Sequence, residues 1–247
     1  MITLVIPCRN EYGTISDIMN FAVKLPGVKQ ILVIDGNSSD GTLHKAQEIC
    51  KELKQGTDIK IDVLEQQNRG KWDAVLLGIK SAENKYISIW DADLTVSFSE
   101  QALIHERFIS SLRHRGVPCL AMGERMTQRE PGSMRFFNLL GNLVFAKIWS
   151  LMCKTEIKDM LCGSKVFESS VLNRVPSKIL QNDPYGDFSI VLASVLSDYS
   201  IETQTLTYRA RTYGQTNILR WSGAYALLKV SLLSLPYLRS KNVDRMV

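Results

Sequence analysis

Two carboxylates separated by a single residue follow a short apolar segment in KYISIWDADLT, residues 85–95. Alternate side chains of a strand point the same way, so Asp91 and Asp93 can converge on one point. Two nearby carboxylates repel each other unless a cation or a proton lies between them. Mg²⁺ and Mn²⁺ prefer oxygen ligands and leave positions open for substrate phosphates, so the pair predicts a metal site for a phosphorylated ligand. The alternative interpretation is a solvated polar strand end.

Polar residues also follow two earlier apolar segments. PCRNE (7–11) follows the first segment, and Asp35 ends the second. A carboxylate such as Asp35 can accept hydrogen bonds from the N–H groups of a pyrimidine or guanine ring. Lys71 opens a helical pattern at a point where a cation opposes the helix dipole, which an anionic ligand would explain. The motifs GxxxxGK[ST] and GxGxxG are both missing, which argues against a P-loop and a dinucleotide fingerprint.

Strand and helix patterns alternate through the first half of the chain. Apolar segments predict strands at 2–7, 30–35, 59–65 and 85–91, and helical patterns lie near 14–25, 40–54 and 70–82. Asp40 is the expected cap of the second helix. This alternation predicts an α/β fold with right-handed βαβ units and a mostly parallel sheet flanked by helices. In such sheets ligands bind beyond the carboxyl ends of the strands, where the polar residues above lie.

The second half is less regular. We predict a strand at 118–125, a long helix at 133–152, a helix around 187–197 and a strand at 201–207. The helix at 133–152 is apolar enough to be largely buried or to face a membrane. No linker rich in Gly, Pro or Ser divides the chain, so we expect one catalytic domain over 1–215 and a helical tail over 216–247.

The composition excludes several classes of protein. The net charge is +5 and basic residues are not interleaved with aromatic ones, so nucleic acid is not an expected partner. Five cysteines without zinc spacing indicate reduced, buried thiols in a cytoplasmic protein. The first residues, MITLVIPCRNE, indicate a strand and not a signal peptide, and no apolar run is long enough to predict a spanning helix. Exposed helical positions without metal spacing are expected for His44, His105 and His114.

Four motifs of the first half occur in the order and spacing of a known family: VIPCRNE, VIDGNSSDGT, NRGKWDA and WDADLT. They resemble inverting glycosyltransferases of family 2, which have the GT-A fold. The second half carries GER (123–125), GSMRFFNLLGN (132–142), DMLCGSKVF (159–167) and RARTYGQTNI (209–218). These resemble the polyprenyl-phosphate sugar synthases, typified by dolichyl-phosphate mannose synthase, and the resemblance covers about residues 2–220.

The resemblance implies a role for each matching residue. The nucleotide-sugar pocket would be lined by Pro7, Asn10, Glu11, Asp35, Lys71 and Asp91. Mg²⁺ or Mn²⁺ on the donor diphosphate would be held by Asp91 and Asp93. Acceptor and donor phosphates would be bound by Arg125, Arg135 and Arg211, with Asp187 near the acceptor. Two departures stand out: Thr95 occupies a position where the family often has Gln, and the transmembrane helices of many members do not occur in this sequence.

The chemistry leaves the acceptor open. Transfer to a hydroxyl of a glycan or lipid-linked glycan needs a general base, for which Asp187 is the candidate. A polyprenyl phosphate is already largely ionised at neutral pH, so arginines would matter more than a base. We favour the polyprenyl phosphate and a GDP- or UDP-sugar donor. A non-catalytic nucleotide-sugar-binding protein is the second alternative.

The tail bears on where the protein acts. Its apolar stripes carry Trp221, Tyr225 and Tyr237, and basic residues flank them at Arg220, Lys229, Arg239 and Lys241. This pattern predicts an interfacial helix on an anionic membrane, at the cytosolic face. The alternatives are a helix packed on the core and a contact between two copies of the chain.

Overall fold

One seven-stranded sheet organises the chain. The computed structural model describes residues 1–68, 70–214 and 220–244. The strands are β1 (Ile2–Cys8), β2 (Val28–Asp35), β3 (Lys60–Glu65), β4 (Tyr86–Ile89), β5 (Leu120–Arg129), β6 (Lys165–Glu168) and β7 (Ile201–Tyr208). Their order across the sheet is β3-β2-β1-β4-β6-β5-β7. Strand β6 is antiparallel to both its neighbours, and the other pairs are parallel, which confirms the predicted fold class.

Helices cover both faces of the sheet. They are α1 (Ile15–Ala22), α2 (Thr42–Leu53), α3 (Lys71–Ser81), α4 (Phe98–Arg115), α5 (Phe136–Cys153), α6 (Ser177–Leu180), α7 (Asp187–Leu196) and α8 (Arg220–Asp244), with a 3₁₀ turn at Ser169–Arg174. One apolar cluster joins the sheet to α1, α2 and α4, and the other joins it to α3, α5, α7 and α8. Because both faces are covered, β1 is almost entirely buried and its sequence is a continuous apolar run.

The register aligns the strand ends that matter for function. Cys8 at the end of β1 lies opposite Asp35 on β2, and Asp35 lies opposite Glu65 on β3. Strand β4 pairs with the other side of β1 and ends at Ile89, two residues before Asp91. The carboxyl ends of four neighbouring parallel strands therefore meet at one edge, as the sequence predicts.

Several local predictions need correction. The segment KDMLCGSKVF (158–167), which reads as a loop with no predicted strand or helix, runs into strand β6 at Lys165–Glu168, a four-residue strand too short for its pattern to show. Gly41, with φ +91°, is the N-cap residue of α2, while the Asp40 carboxylate accepts hydrogen bonds from Thr42. His105 is fully buried, not exposed, because its ring bonds Ser88 Oγ (2.8 Å) and the Pro26 carbonyl (2.9 Å).

Helix α5 is mostly unburied within the described residues, so the alternative of a largely buried helix is wrong and that of a membrane-facing helix stays a prediction. It is one described helix that is long and apolar enough to cross a membrane by length and composition, with 22% of that segment buried. The tail helix α8 packs beside it, where Trp149 donates to Ser231 Oγ at 2.9 Å. The boundary predicted near residue 216 lies outside the described residues, so the division into a domain and a tail stays a prediction.

Candidate active site

The first ion pair of the site joins the segment that follows strand β4 to the start of helix α3. Lys71, at the start of α3, places Nζ 2.7 Å from Asp91 Oδ1 and 2.8 Å from Asp91 Oδ2. Burial works against the charge of Lys71, but Asp91 and Asp187 raise its pKa above the ordinary value. Burial likewise works against the ionised Asp91, yet Lys71 and Arg125 hold the pKa of its carboxyl below the ordinary value. Asp91 is therefore an ionised carboxylate at neutral pH, and Lys71 is its counter-ion.

A glycine makes room for this pair. A Cβ atom on Gly163 would collide with Asp91 Oδ2 and with Lys71 Nζ. The loop between α5 and β6 therefore lies directly against the Asp91 carboxylate. Gly163 belongs to the motif DMLCGSKVF, but nothing local in the sequence shows which side chains it faces.

A second charged group lies around Arg211, which follows β7. Its guanidinium donates to Glu11 Oε1 at 2.9 Å and to Asp93 Oδ2 at 2.7 Å. Thr95 holds the other oxygen of Asp93, with Oγ1 at 2.8 Å and the backbone N–H at 3.1 Å from Oδ1. Thr95 thus orients a predicted metal ligand from the position where the resembling family often has Gln.

Glu11 has an unusual ionisation in this setting. Burial raises the pKa of its carboxyl to about 7, with Asp93 adding to the rise and Arg211 opposing it. Its backbone N–H donates to Thr42 Oγ1 at 2.9 Å, which ties the end of β1 to the start of α2.

The predicted nucleoside pocket is a closed network of loops. Asn10, with φ +57°, donates its backbone N–H to Ser38 Oγ (2.9 Å) and accepts from the Ser39 N–H (2.8 Å). Asp35 is buried, and its Oδ2 accepts from the Ser38 N–H at 2.9 Å. Asp35 therefore has a structural role in the turn, which the sequence did not suggest. Pro7 is half-buried one residue before the end of β1.

Arg125 is part of a buried pair below Asp91. Its Nε and Nη2 donate to Asp159 Oδ2 (2.7 Å) and Oδ1 (2.9 Å), and Asn142 of α5 donates to the same Oδ1 at 2.6 Å. Burial would raise the pKa of Asp159, but Arg125 keeps it below the ordinary value. Arg125, predicted to bind acceptor phosphate, is thus held by a carboxylate and lies against the ring of Tyr208.

Asp187, the predicted general base, belongs to a second buried pair. Lys165 of β6 is fully buried and places Nζ 2.5 Å from Asp187 Oδ1, while it also donates to the Cys162 carbonyl. Lys165 was not predicted as a site residue. The signal available was a charged residue inside an apolar segment, CGSKVF, which in a central strand requires a buried partner.

Arg135 is the predicted site residue that the structure does not join to the others. It is exposed at the N-terminal end of α5, and no described hydrogen bond or ion pair connects its side chain to the site. The other predicted residues lie at one edge of the sheet or directly below it.

The site offers oxygen ligands for a divalent cation. Asp91 and Asp93 supply carboxylates, and Mg²⁺ in such sites is typically held by one or two carboxylates together with substrate phosphates. Within the described residues, no group of three or more His, Cys, Asp or Glu side chains could hold a metal ion by itself. The two carboxylates are hard oxygen donors, and their chemistry fits a hard divalent cation such as Mg²⁺ or Mn²⁺.

Comparison with known proteins identifies the class. The crystal structure of mannosyl-3-phosphoglycerate synthase from Rubrobacter xylanophilus superposes with a TM-score of 0.69 at 17% identity, over 98% of this chain and 75% of that one. Glucosyl-3-phosphoglycerate synthase from Mycobacterium tuberculosis, in complex with Mn²⁺, UDP and glucosyl-3-phosphoglycerate, gives 0.63 at 16% identity, over 96% and 80%. The fold is that of the GT-A type.

Sequence comparison then shows similarity to a known family. Residues 3–106 match the model of glycosyl transferase family 2, so this part of the chain is similar to that family. The glycosyltransferase AglJ of Haloferax volcanii is 25% identical over 67% of this chain and 50% of its own length. The dolichyl-phosphate beta-glucosyltransferase of Saccharomyces cerevisiae is 24% identical over 81% of this chain and 64% of its own length. The chain therefore spans about half to two thirds of these two relatives.

Proposed function

We propose that the protein is an inverting glycosyltransferase that moves a sugar from a nucleoside-diphosphate sugar to a polyprenyl phosphate, with Mg²⁺ or Mn²⁺ as cofactor. The similarity to family 2 and the named activities of the relatives support the transferase class. The charges of the site support the choice of a phosphate as acceptor.

The pairing of the site carboxylates carries the choice of acceptor. Five of the acidic side chains around the strand ends are each bonded to a cation: Glu11, Asp91, Asp93, Asp159 and Asp187. Asp187, the candidate base, already has Oδ1 occupied by the buried Lys165 ammonium at 2.5 Å. An acceptor phosphate needs no such base, because it is largely ionised at neutral pH (second pKa about 6).

The proposed step is a single displacement. A phosphate oxygen of the acceptor forms a bond to the anomeric carbon on the face opposite the leaving group, and the bond from that carbon to the donor diphosphate breaks. The nucleoside diphosphate leaves with the electron pair, and the anomeric configuration inverts. Asp91 and Asp93 would hold the cation, which when bound supplies stabilisation of the negative charge on the leaving diphosphate.

Lys71 and Arg211 would take part in donor binding. Both cations now neutralise the two predicted metal ligands, and both are partly exposed at the edge of the sheet. A metal-bound diphosphate would bring its own positive and negative charges to the same carboxylates. We propose that Lys71 and Arg211 then pair with phosphate oxygens, because these are the nearest anions that remain for them.

Relatives and neighbours support this proposal at different levels. The yeast relative is named as a dolichyl-phosphate beta-glucosyltransferase, which supports a polyprenyl-phosphate acceptor. The mycobacterial neighbour was crystallised with Mn²⁺ and UDP, which supports a divalent cation and a uridine donor as one option. That same neighbour carries a glucosyl-phosphoglycerate product, so transfer to a hydroxyl of a phosphorylated acceptor is the second candidate.

A transfer assay with paired acceptors tests the proposal. Purified protein is incubated with GDP- or UDP-sugars, with and without Mn²⁺, and with either a polyprenyl phosphate or the matching polyprenol in detergent. We expect transfer to the phosphate alone, dependence on the metal, and a product of inverted anomeric configuration. Equal transfer to the alcohol, or to 3-phosphoglycerate in a parallel reaction, would replace the lipid phosphate by a hydroxyl acceptor.

The acceptor also determines the proposed location. A polyprenyl chain resides in a bilayer, so the protein would act as a peripheral protein at the cytosolic face of a membrane. Five free, buried thiols agree with a reducing compartment.

A further inference from the structure

Helix α5 has two apolar faces. Its inner face packs into the core through Asn142, Ala146, Trp149 and Cys153, which recur at helical spacing. The opposite face exposes a second apolar stripe, made of Phe136, Phe137, Leu140, Leu143, Val144, Ile148 and Leu151. Surface helices of globular proteins normally place polar residues on that side. Within the described residues, no segment of the chain covers this stripe.

Helix α8 continues the same surface. Its inner face buries Leu227, Val230 and Leu238, while Tyr225 (71% exposed), Leu228 and Leu232 (58%) form its outer stripe. The two helices contact each other and bury their inner faces in one core cluster. Their outer stripes therefore lie on one side of the molecule. We name this surface the α5/α8 face: the exposed stripe of α5 together with Tyr225, Leu228 and Leu232.

The charged side chains that α5 and α8 themselves place along the α5/α8 face are basic. Helix α5 contains no acidic residue, and the sole acidic residue in the sequence of α8 is Asp244 at its last position. Exposed basic residues border the apolar stripes at Arg135, Lys147, Lys229 and Arg239. Acidic residues of neighbouring segments lie at the ends of the helices: Glu156 follows α5, and Asp198 pairs with Lys241 of α8 at 2.6 Å. Along their length, the apolar stripes of the two helices are bordered by cations, which matches a surface that is apolar below and anionic above.

We propose that the α5/α8 face docks on an anionic lipid bilayer, with both helices lying along the membrane surface. This deepens the proposed function, because it names the surface through which the protein would reach a lipid acceptor. The surface itself is defined by exposure and charge, without reference to transfer. Helix α5 would lie along the bilayer and not across it, since Trp149 and Asn142 on its other face are bonded to the core.

A second copy of the chain fits this face less well. In a twofold contact the same patch meets itself, so Lys147 and Lys229 would be buried against apolar side chains or against each other. No acidic residue of the patch could pair with them, and unpaired buried cations are costly. At a bilayer the long lysine side chains reach the headgroups while their methylene stems stay in contact with apolar surface.

The face is physically joined to the site. Asn142 of α5 donates to Asp159, which holds Arg125 below Asp91, and the Met160 N–H donates back to Asn142 Oδ1 at 3.0 Å. Docking of α5 would thus bring the strand-end edge close to the membrane surface, and Arg135 at the start of α5 would lie at the headgroup level.

Vesicle co-sedimentation tests the proposal without any acceptor or donor. Vesicles of phosphatidylcholine, with none or about 30% phosphatidylglycerol, contain no polyprenyl phosphate, so a failure of the proposed transfer leaves this result unaffected. Wild-type protein is expected to bind the anionic vesicles. The variants Leu143→Glu and Leu232→Glu are expected to weaken partitioning by about ten-fold or more, because each puts a negative charge into the exposed apolar stripe that would contact the bilayer.

Val117→Glu is the matched control. Val117 is 56% exposed and, like Leu143 and Leu232, is an exposed apolar side chain. It differs from them in position, because it follows α4 on the other face of the sheet. It should bind vesicles like wild type. Lys147→Gln combined with Lys229→Gln should reduce the preference for anionic lipid while leaving the apolar contribution. Circular dichroism and melting temperature establish that each variant is folded.

Two results would overturn the proposal. One is binding that is absent in wild type or is lost equally in Val117→Glu. The other is a dimer, seen by analytical ultracentrifugation without vesicles, that Leu143→Glu and Leu232→Glu convert to a monomer; the α5/α8 face would then be an interface between copies of the chain.

Discussion

The site contains two kinds of ion pair that share the same chemistry and differ in burial. We call the pairs of Lys71 with Asp91 and of Arg211 with Asp93 and Glu11 the rim pairs; their cations are 26–27% exposed. The buried pairs are Arg125–Asp159 and Lys165–Asp187, in which the cations are 12% and 0% exposed. Rim pairs can exchange partners with a ligand, because water reaches them. Buried pairs cannot, because a lone charge there has no solvent.

The difference separates binding from architecture. Each rim pair involves a residue that the sequence predicts to bind metal or nucleotide, whereas the buried pairs hold the loops beneath those residues. A substitution in a buried pair should therefore act mainly on stability, and one in a rim pair mainly on ligand binding. Four predictions test this division, in order of decreasing expected effect.

Removing Lys165 should cause the largest loss of stability. Lys165→Met leaves the Asp187 carboxylate buried without its cation, which typically costs about 3–5 kcal/mol in the free energy of unfolding. Urea denaturation measures this change. The double variant with Asp187→Leu removes both charges and should recover most of the loss. A single variant as stable as wild type would show that the pair is not a structural one.

Glu11 should make stability depend on pH. Its pKa in the folded protein, about 7, lies above the ordinary value of 4.5, so the folded state holds this proton more tightly than the unfolded state. Its contribution to stability is therefore greatest below about pH 4.5 and is lost as the pH rises through 7. The loss is on the order of 2–3 kcal/mol.

Glu11→Gln removes this titration and serves as the comparison. The free energy of unfolding of each protein is measured at a series of pH values from acid to neutral. The value for wild type minus the value for the variant should fall as the pH rises. Parallel profiles for the two proteins would contradict the raised pKa. The buried pairs offer no such dependence at neutral pH, since the pKa of Asp159 lies below its ordinary value.

Gly163→Ala should weaken donor binding with little loss of fold. The added Cβ collides with the Asp91 carboxylate and Lys71, so the rim pair must shift. We expect about ten-fold weaker Mn²⁺-dependent binding of a nucleoside diphosphate, read from the ligand-induced rise in melting temperature. Gly141→Ala is the control, because its Cβ in α5 would meet no atom within 4 Å. Equal ligand responses in both variants would remove Asp91 from the binding site.

The first half of the molecule and the position of Asp91 and Asp93 could be predicted from the sequence. Apolar strand segments followed by polar turns are local patterns, and parallel pairing brings their carboxyl ends to one edge whatever the details. The partners of the charged residues could not be predicted in this way. Arg125 and Asp159 are 34 positions apart, and Lys165 and Asp187 are 22 apart, so neither pair leaves a local pattern.

The burial of His105 could not be predicted from its local sequence for a related reason. His105 lies in a helix of weak periodicity, and its partners Ser88 and Pro26 come from a strand and a turn far along the chain. The outer stripe of α5 shows the opposite case. Its sequence predicts an apolar helix, but only the packing shows which of its two apolar faces the core leaves exposed.

Lys71→Met should change stability least and binding clearly. The Lys71–Asp91 pair, with side chains 27% and 34% exposed, contributes at most about 1 kcal/mol, so the midpoint of urea denaturation should remain close to that of wild type. Mn²⁺-dependent nucleotide binding should weaken about ten-fold, because the diphosphate loses a charge-assisted hydrogen bond. Lys54→Met is the matched control. Lys54 Nζ lies 3.3 Å from Asp62 Oδ1, and this pair is remote from the strand-end edge, so its loss should leave both measurements unchanged. If Lys71→Met destabilised the protein as strongly as Lys165→Met, exposure would not be what separates the two kinds of pair.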